Sequence, residues 1–249
     1  MIHQSDIDCK IIIPARYESS RFEGKPLEQI LGVPMIKRVW LQCIKAISKK
    51  DVYIATDDQR ILSYCLGEGM QVVLTSKNCL TGTDRIYEAS KKIKADIYIN
   101  VQGDEPLINP DDIQKVITVS KENPQVIYNA MCKISSEVDF RSTAIPKVVS
   151  DLDDNLLYMS RAAIPTSKDN EFKNAFRQIC IYAFPKKLLG EFAKKAYKTP
   201  IENIEDIEIL RFLEMGIPVK MIEVSESSIA VDYPEDIERV EYAIQRNQE

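Results

Sequence analysis

An α/β fold around a mostly parallel sheet is what this sequence predicts, and three features carry the prediction. Short apolar runs rich in β-branched residues alternate with amphipathic stretches through the first half, the rhythm of βαβ units. Each run ends in a polar loop, where open sheets of this kind place their ligands. After about residue 123 the rhythm changes, and strand-like runs follow one another without long helices between them. The second half therefore reads as an antiparallel extension of the same sheet, and the chain as one domain over 1–249.

The first apolar run, Ile11-Ile12-Ile13, is short and closed by Pro14, the mark of a buried strand. Pro34 opens a helix whose apolar positions are Met35, Ile36, Val39, Trp40, Cys43 and Ile44; proline suits a helix start because its missing N–H had no partner there. Residues 51–56 form the next strand, and a short helix to about Cys65 stops at Gly67 and Gly69. A strand at 71–75 leads to Thr81-Gly82-Thr83-Asp84-Arg85, which opens a helix running to about Lys94. Residues 96–101 form a fourth strand, and Asn109-Pro110 starts a helix to about Glu122. Further strands are expected at 126–133, 146–149, 178–184 and 219–224, with a turn at 151–155. Ile204, Ile207, Leu210 and Phe212, interleaved with acids, predict one amphipathic helix from about Ile201 to Met215, closed by Gly216. A final helix follows Val231-Asp232-Tyr233-Pro234-Glu235-Asp236.

The 249 residues are 45% hydrophobic and 29% charged, enough for a real core in water. No run approaches bilayer length, and the N-terminus lacks the basic start and apolar centre of a signal peptide. Six scattered cysteines with no Cys-x-x-Cys pair argue against a zinc site or a disulfide framework and fit a reducing cytoplasm. A net charge of −5 argues against broad nucleic-acid binding, though not against a nucleotide in a local positive pocket. The only histidine is His3, at the terminus, which excludes almost every histidine-based triad or proton shuttle and leaves carboxylates with metal ions as the expected chemistry.

Arg16, Arg21 and Lys25 follow the first strand within ten residues. Such a set can neutralise a triphosphate, the arginines by forked donation and the lysine as a point charge; a solvated surface loop has the same composition. It is not a Walker loop, because Pro26 stands after Gly24-Lys25 where a magnesium-binding Ser or Thr belongs. At Thr81 to Arg85 the free N–H groups of a helix start can hold an anion, or Thr81 can be an ordinary cap. Asp104, after Gly103 at the end of the fourth strand, suits magnesium, which takes one or two carboxylates and completes its shell with phosphate and water; an Asp in a Gly-Asp turn is also a common structural element.

Seven ordered motifs lie between residues 13 and 236, within a similarity that runs from about 9 to 245: Ile13-Pro14-Ala15-Arg16-Tyr17, Gly24-Lys25-Pro26-Leu27, Ala55-Thr56-Asp57, Gly82-Thr83-Asp84-Arg85, Val101-Gln102-Gly103-Asp104-Glu105-Pro106, Tyr158-Met159-Ser160-Arg161 and Val231-Asp232-Tyr233-Pro234-Glu235-Asp236. Together they resemble the 3-deoxy-manno-octulosonate (Kdo) cytidylyltransferases, which make CMP-Kdo. The resemblance implies a Rossmann-like nucleotidyltransferase working as a homodimer with Mg2+, with a dimerisation and sugar-binding subdomain at about 128–222. It implies transfer of CMP from CTP to the anomeric hydroxyl of Kdo or a closely related 3-deoxy-2-keto sugar acid, for lipopolysaccharide or capsule. Carried over by position, Ala15, Arg16, Ser19, Arg21, Lys25, Thr83 and Arg85 are expected at the nucleotide, with Lys25 also catalytic. Asp104 and Asp232 are expected to be catalytic metal ligands. Arg85, Gln102, Arg161, Gln178, Tyr182 and Glu208 are expected at the sugar.

Departures from the family pattern stand at Gln178 and Cys180, where the family has histidine and glycine, and at Ile209, where it has glutamine. Glu23 stands where proline is usual, an acid tolerable beside a phosphate loop only if it faces solvent or a cation. Gln178, Cys180 and Ile209 fall on the family's sugar-binding surface and point either to an altered acceptor acid or to Gln178 replacing the histidine's bond. A sialic-acid-like nonulosonate as acceptor, and a non-catalytic binding protein on the same fold, are the competing readings.

Overall fold

The computed structural model describes residues 7–19, 21–226 and 228–246; His3 lies outside them. Strand β1 (Cys9–Ala15) leads through the basic loop to a small hairpin, β2 (Gln29–Ile30) and β3 (Val33–Pro34), and then to helix α1 (Met35–Ala46). There follow β4 (Val52–Thr56), α2 (Gln59–Gly67), β5 (Gln71–Leu74), α3 (Gly82–Ser90), β6 (Ile97–Val101) and α4 (Pro110–Glu122). The second half comprises β7 (Ile127–Lys133), α5 (Glu137–Arg141), β8 (Lys147–Ser150), β9 (Leu156–Ser160), β10 (Phe176–Pro185), α6 (Lys186–Phe192), α7 (Pro200–Glu205), α8 (Leu210–Glu214), β11 (Val219–Glu223) and α9 (Asp236–Arg246).

The main sheet runs in the order β11-β7-β10-β6-β1-β4-β5, with β1 near its middle. β1 pairs in parallel with β4 and β6, β4 with β5, and β11 with β7, as the βαβ rhythm predicts. β10 is the antiparallel member, inserted between β6 and β7, and the β8–β9 hairpin extends the sheet from it. Helices cover both faces, which is why Ile11, Ile12 and Ile13 are all buried although consecutive strand residues point to opposite sides. One core layer packs α1, with Ile36, Val39 and Cys43, and α4, with Ile113 and Val116, against the sheet. The other centres on a run of stacked and tilted rings, Tyr182, Phe184, Phe212 and Phe192. Among the described residues no helix is long and apolar enough to cross a membrane.

The single amphipathic helix expected from 201 to 215 is instead two short helices. α7 ends at Asp206, whose φ of 51° is left-handed and cannot continue a right-handed helix. The periodicity misled because it counted the wrong groups on each face: Ile204 is 81% exposed, whereas the acid Glu202 is fully buried. Glu202 is internal because Arg211, at the start of α8, is bound to it by two hydrogen bonds of 2.7 and 2.6 Å. The same guanidinium reaches Asp84 of α3 at 2.9 Å, so one buried arginine ties α7, α8 and the α3 N-terminus together.

Arg211→Met leaves Glu202 buried without its counter-charge. Urea unfolding should show a loss of about 3–5 kcal/mol, the usual cost of breaking a buried pair from one side; a loss below about 1 kcal/mol would mean that the three elements are held by apolar packing instead.

Candidate active site

The carboxyl ends of β1 and β6 open into a cleft of about 860 Å³, within the usual range for a small-molecule site. Ala15, the last residue of β1, and Arg16, Ser19, Arg21 and Lys25 from its loop line one side. Gln102 and Asp104 follow β6 on the floor, and Gln178, Cys180 and Tyr182 come from β10. Arg85, Arg161, Glu208 and Asp232 complete the wall, so every residue expected at the site lines the cleft except Thr83 and Ile209.

The floor is built by close backbone approach. A Cβ at Gly103 would stand 3.0 Å from the Pro14 carbonyl oxygen, so glycine there lets the β6 loop lie against the end of β1. This holds Asp104 beside the basic loop. Lys25 Nζ donates to Asp104 at 2.9 Å and to the Val231 carbonyl at 2.8 Å, and the Val231 N–H donates to the Asp104 carbonyl at 2.9 Å. These bonds draw in the chain segment that carries Asp232, whose carboxylate pairs with Arg21 at 3.0 Å. Asp236, in the first turn of α9, accepts from the N–H groups of Asp232 and Tyr233 and fixes that segment. Two aspartates far apart in sequence thus meet, each against one cation of the loop. Arg16 is exposed and has no ion pair among the described residues. Glu23 is also exposed, the orientation in which an acid beside this loop is tolerable.

Arg85 is only 4% exposed, and its guanidinium is occupied internally by Asp57 at 2.8 Å and Thr75 at 2.7 Å. It ties α3 to the ends of β4 and β5. Thr83 is buried behind the wall, where its N–H donates to Glu208 at 2.8 Å. Arg161 donates to the carbonyls of Glu205, Thr143 and Asp206. Lys147 sits behind it, fully buried, with its ammonium on the carbonyls of Ser142, Ile145 and Arg161. Burial and the neighbouring Arg161 charge lower the pKa of Lys147.

The β10 wall is shaped by a register break between Ile179 and Tyr182 against β7. The buried Asn129 amide donates to the carbonyls of Ile179 and Ile181 at 3.0 Å each and accepts from Gln178 Nε2 at 2.9 Å. A bulge of this kind re-aims side chains beside a site, and here Cys180 lines the cleft. Its N–H donates to Glu105 at 3.0 Å, and Glu105 also accepts from Ser228. Burial raises the Glu105 carboxyl, against the Ser228 hydroxyl and Cys180 N–H that favour its charged form. Burial likewise raises Glu208, against its bonds to Thr83 and Thr81. Burial first, then the Glu105 charge, pushes the Cys180 thiol well up, and burial does the same to Tyr182.

Residues 10–226 match the cytidylyltransferase family. The chain is 39% identical over 241 residues to 3-deoxy-manno-octulosonate cytidylyltransferase of Geobacter sulfurreducens, covering 92% of this chain and 96% of the relative. This chain belongs to the 3-deoxy-manno-octulosonate cytidylyltransferase family. It is also 39% identical over 235 residues to the mitochondrial enzyme of that name from Arabidopsis thaliana, covering 92% of this chain and 81% of the relative. Among solved structures, a CMP:2-keto-3-deoxy-manno-octonic acid synthetase complexed with CTP matches with a TM-score of 0.89 at 32% identity, over 96% of this chain and 99% of that one. A cytidylyltransferase from Leptospira borgpetersenii matches at TM-score 0.64 and 17% identity, over 96% of this chain and 87% of that one, and shares the fold.

Family membership recasts the departures. Ile209 is 1% exposed and packed in the second core layer, so its replacement of a polar residue does not touch the cleft. Gln178 and Cys180 do line it. Arg177, Asp206 and Arg239 line it as well, and no motif marks them in the sequence.

The cleft thiols should be unreactive. Burial and the Glu88 carboxylate push Cys79 up to about 12, and Cys180 is raised in the same sense. At pH 8 iodoacetamide should label both at least about tenfold more slowly than free cysteine, read by peptide mass spectrometry; labelling at the free rate would contradict the burial described.

Proposed function

We propose that this chain transfers CMP from CTP to the anomeric hydroxyl of 3-deoxy-manno-octulosonate and releases pyrophosphate. The observation that carries the reading is the pairing of Lys25 with Asp104 and Arg21 with Asp232 at the mouth of one cleft. It sets two cations and two carboxylates side by side, which supports binding of a nucleoside triphosphate with its divalent cation. The hydroxyl gives up its proton to solvent, the bond from its oxygen to the α-phosphorus forms as the bridge to the β-phosphate breaks, and pyrophosphate leaves with the electron pair. Such a displacement needs positioning and neutralisation of charge more than covalent help.

Asp104 and Asp232 fit magnesium: both donors are carboxylates, and both are open to the cleft for the phosphate and water that complete an octahedron. Bound there, magnesium would lower the pKa of the attacking hydroxyl and offset charge on the leaving pyrophosphate. On nucleotide binding Lys25 and Arg21 exchange carboxylate partners for phosphate oxygens, and Arg16 already lacks one. Arg161 lines the cleft and, among the described residues, forms no ion pair, which suits it to an acidic sugar.

A closely related 3-deoxy-2-keto acid is the second reading, favoured by one observation: Gln178 commits one of its two amide N–H donors to Asn129. Six free cysteines agree with a cytoplasmic location. A homodimer through the antiparallel extension is supported by exposed apolar groups on the β8–β9 hairpin and α7, among them Leu157 at 59% and Ile204. The hydrogen bond from Tyr158 to Glu205 at 3.1 Å places those two elements side by side.

Purified protein should release pyrophosphate from CTP only with Kdo and magnesium present. Asp104→Asn should reduce turnover by at least about a thousandfold with an unchanged circular dichroism spectrum; near-normal turnover would reject the metal role, and preference for another sugar acid would move the reading to the second acceptor. Light scattering should give about twice the 28.4 kDa chain mass. Leu157→Asp with Ile204→Asp should return it to a single chain, and an unaltered dimer would place the interface elsewhere.

A further inference from the structure

The basic loop after β1 is closed at its neck by one backbone bond: the Gly24 N–H donates to the Tyr17 carbonyl at 2.9 Å. Arg16 stands just before this neck, Arg21 inside the loop and Lys25 just after it, so the neck sets the spacing of all three cations. Compact loops with joined ends keep their shape through their own side chains, and here the side chain at the neck is the Tyr17 ring. It packs on the first core layer, and a Cβ at Gly24 would come within 3.0 Å of its hydroxyl oxygen and 3.1 Å of the carbon that bears it. A left-handed φ of 73° is the second reason for glycine at position 24.

The ring has one further neighbour, which comes from a different βα unit. The guanidinium carbon of Arg60, in the first turn of α2, lies 3.2 Å from the ring centre. Asp58, the α2 N-cap, aims this side chain. It accepts from Arg60 Nε at 2.9 Å, from a terminal guanidinium nitrogen at 2.7 Å and from the Arg60 backbone N–H at 2.8 Å. The side-chain bonds from Arg60 hold the Asp58 carboxyl down at about 2, so the pair stays charged at any working pH. Tyr17, Asp58 and Arg60 do not line the cleft, and no step described above uses them.

We propose that Arg60 is a positioning residue: stacked on Tyr17, it clasps the neck of the basic loop and presets Arg16, Arg21 and Lys25 for a triphosphate. The inference deepens the function proposed above and rests on it for the identity of that ligand. A planar cation suits the place, because it lies on the ring face while its edge donates to a carboxylate. Presetting raises affinity because a loop ordered only when the ligand arrives loses its conformational freedom at that moment. The adjacent Asp58 charge leaves Arg60 little long-range pull on an anion, so its effect travels through the ring.

A double-variant cycle on the full chain, read by calorimetric titration of CTP with magnesium, tests this. Arg60→Met should weaken CTP binding about two- to fivefold, the scale of a cation–π contact at an exposed site. Tyr17→Phe, which keeps the ring, should stay within about twofold of the parent. In a Tyr17→Leu background, Arg60→Met should change CTP affinity by less than about 1.5-fold, since the ring it acts through is gone. An equal loss in both backgrounds would overturn the assignment, because an unpaired Asp58 would then be repelling the nucleotide directly. A second readout needs no ligand. Under native conditions trypsin should cut after Arg21 about two- to fivefold faster in Arg60→Met than in the parent, with the urea midpoint unchanged. Equal cleavage rates would overturn the clasp whatever nucleotide binds. If the parent fails to bind CTP while the cleavage difference holds, the proposed function fails and the clasp on the loop stands.

Discussion

Lys25 and Asp104, 2.9 Å apart, form the contact on which the rest of the site depends. Neither residue is near the other in sequence, and their meeting follows from sheet order. β1 and β6 are parallel neighbours, so the loops after them leave the same edge, and Gly103 lets the β6 loop touch the end of β1. The lysine then bonds the Val231 carbonyl, which draws the last segment of the chain across the mouth of the cleft. A single ammonium therefore connects the first loop, the fourth long strand and the approach to the last helix. The arrangement is electrically closed, with two carboxylates facing two cations, yet open enough that each charge can change partner. That combination is what the proposed binding of a metal-bound triphosphate would use.

The opposite wall is held differently. Arg211 is fully buried and joins Glu202, Asp84 and, through them, α7, α8 and the start of α3. Glu208 lies between these anchors, bonded to Gln102 and Thr83. Charge on this wall is committed to architecture, as it is for Arg85 with Asp57. Charge on the basic-loop side remains exchangeable.

The strands and the basic loop were legible because their signals are local: an apolar run, a proline, a cluster of cations. The antiparallel extension was legible from the loss of helical spacing. The break at Asp206 was not, because neither glycine nor proline marks it, and the pairing of Glu202 with Arg211 across it joins residues on two separate helices. Ile209 was misplaced on the cleft because a residue number in a helix does not say which way a two-helix turn will face it; it points into the core. The juxtaposition of 104 and 232 was reached through family pattern alone, since Asp232 by itself reads as a helix-cap acid. The bulge that turns Cys180 into the cleft depends on Asn129 in β7, a strand brought beside β10 only by the fold.

The most direct measurement is calorimetric titration of CTP into the intact protein with and without magnesium, in the absence of any sugar. If Lys25 and Arg21 are neutralised by the carboxylates that a cation would take over, nucleotide and cation should each bind weakly alone and promote one another, with CTP affinity rising at least about tenfold when magnesium is present. Equal CTP affinity in both conditions would contradict the account.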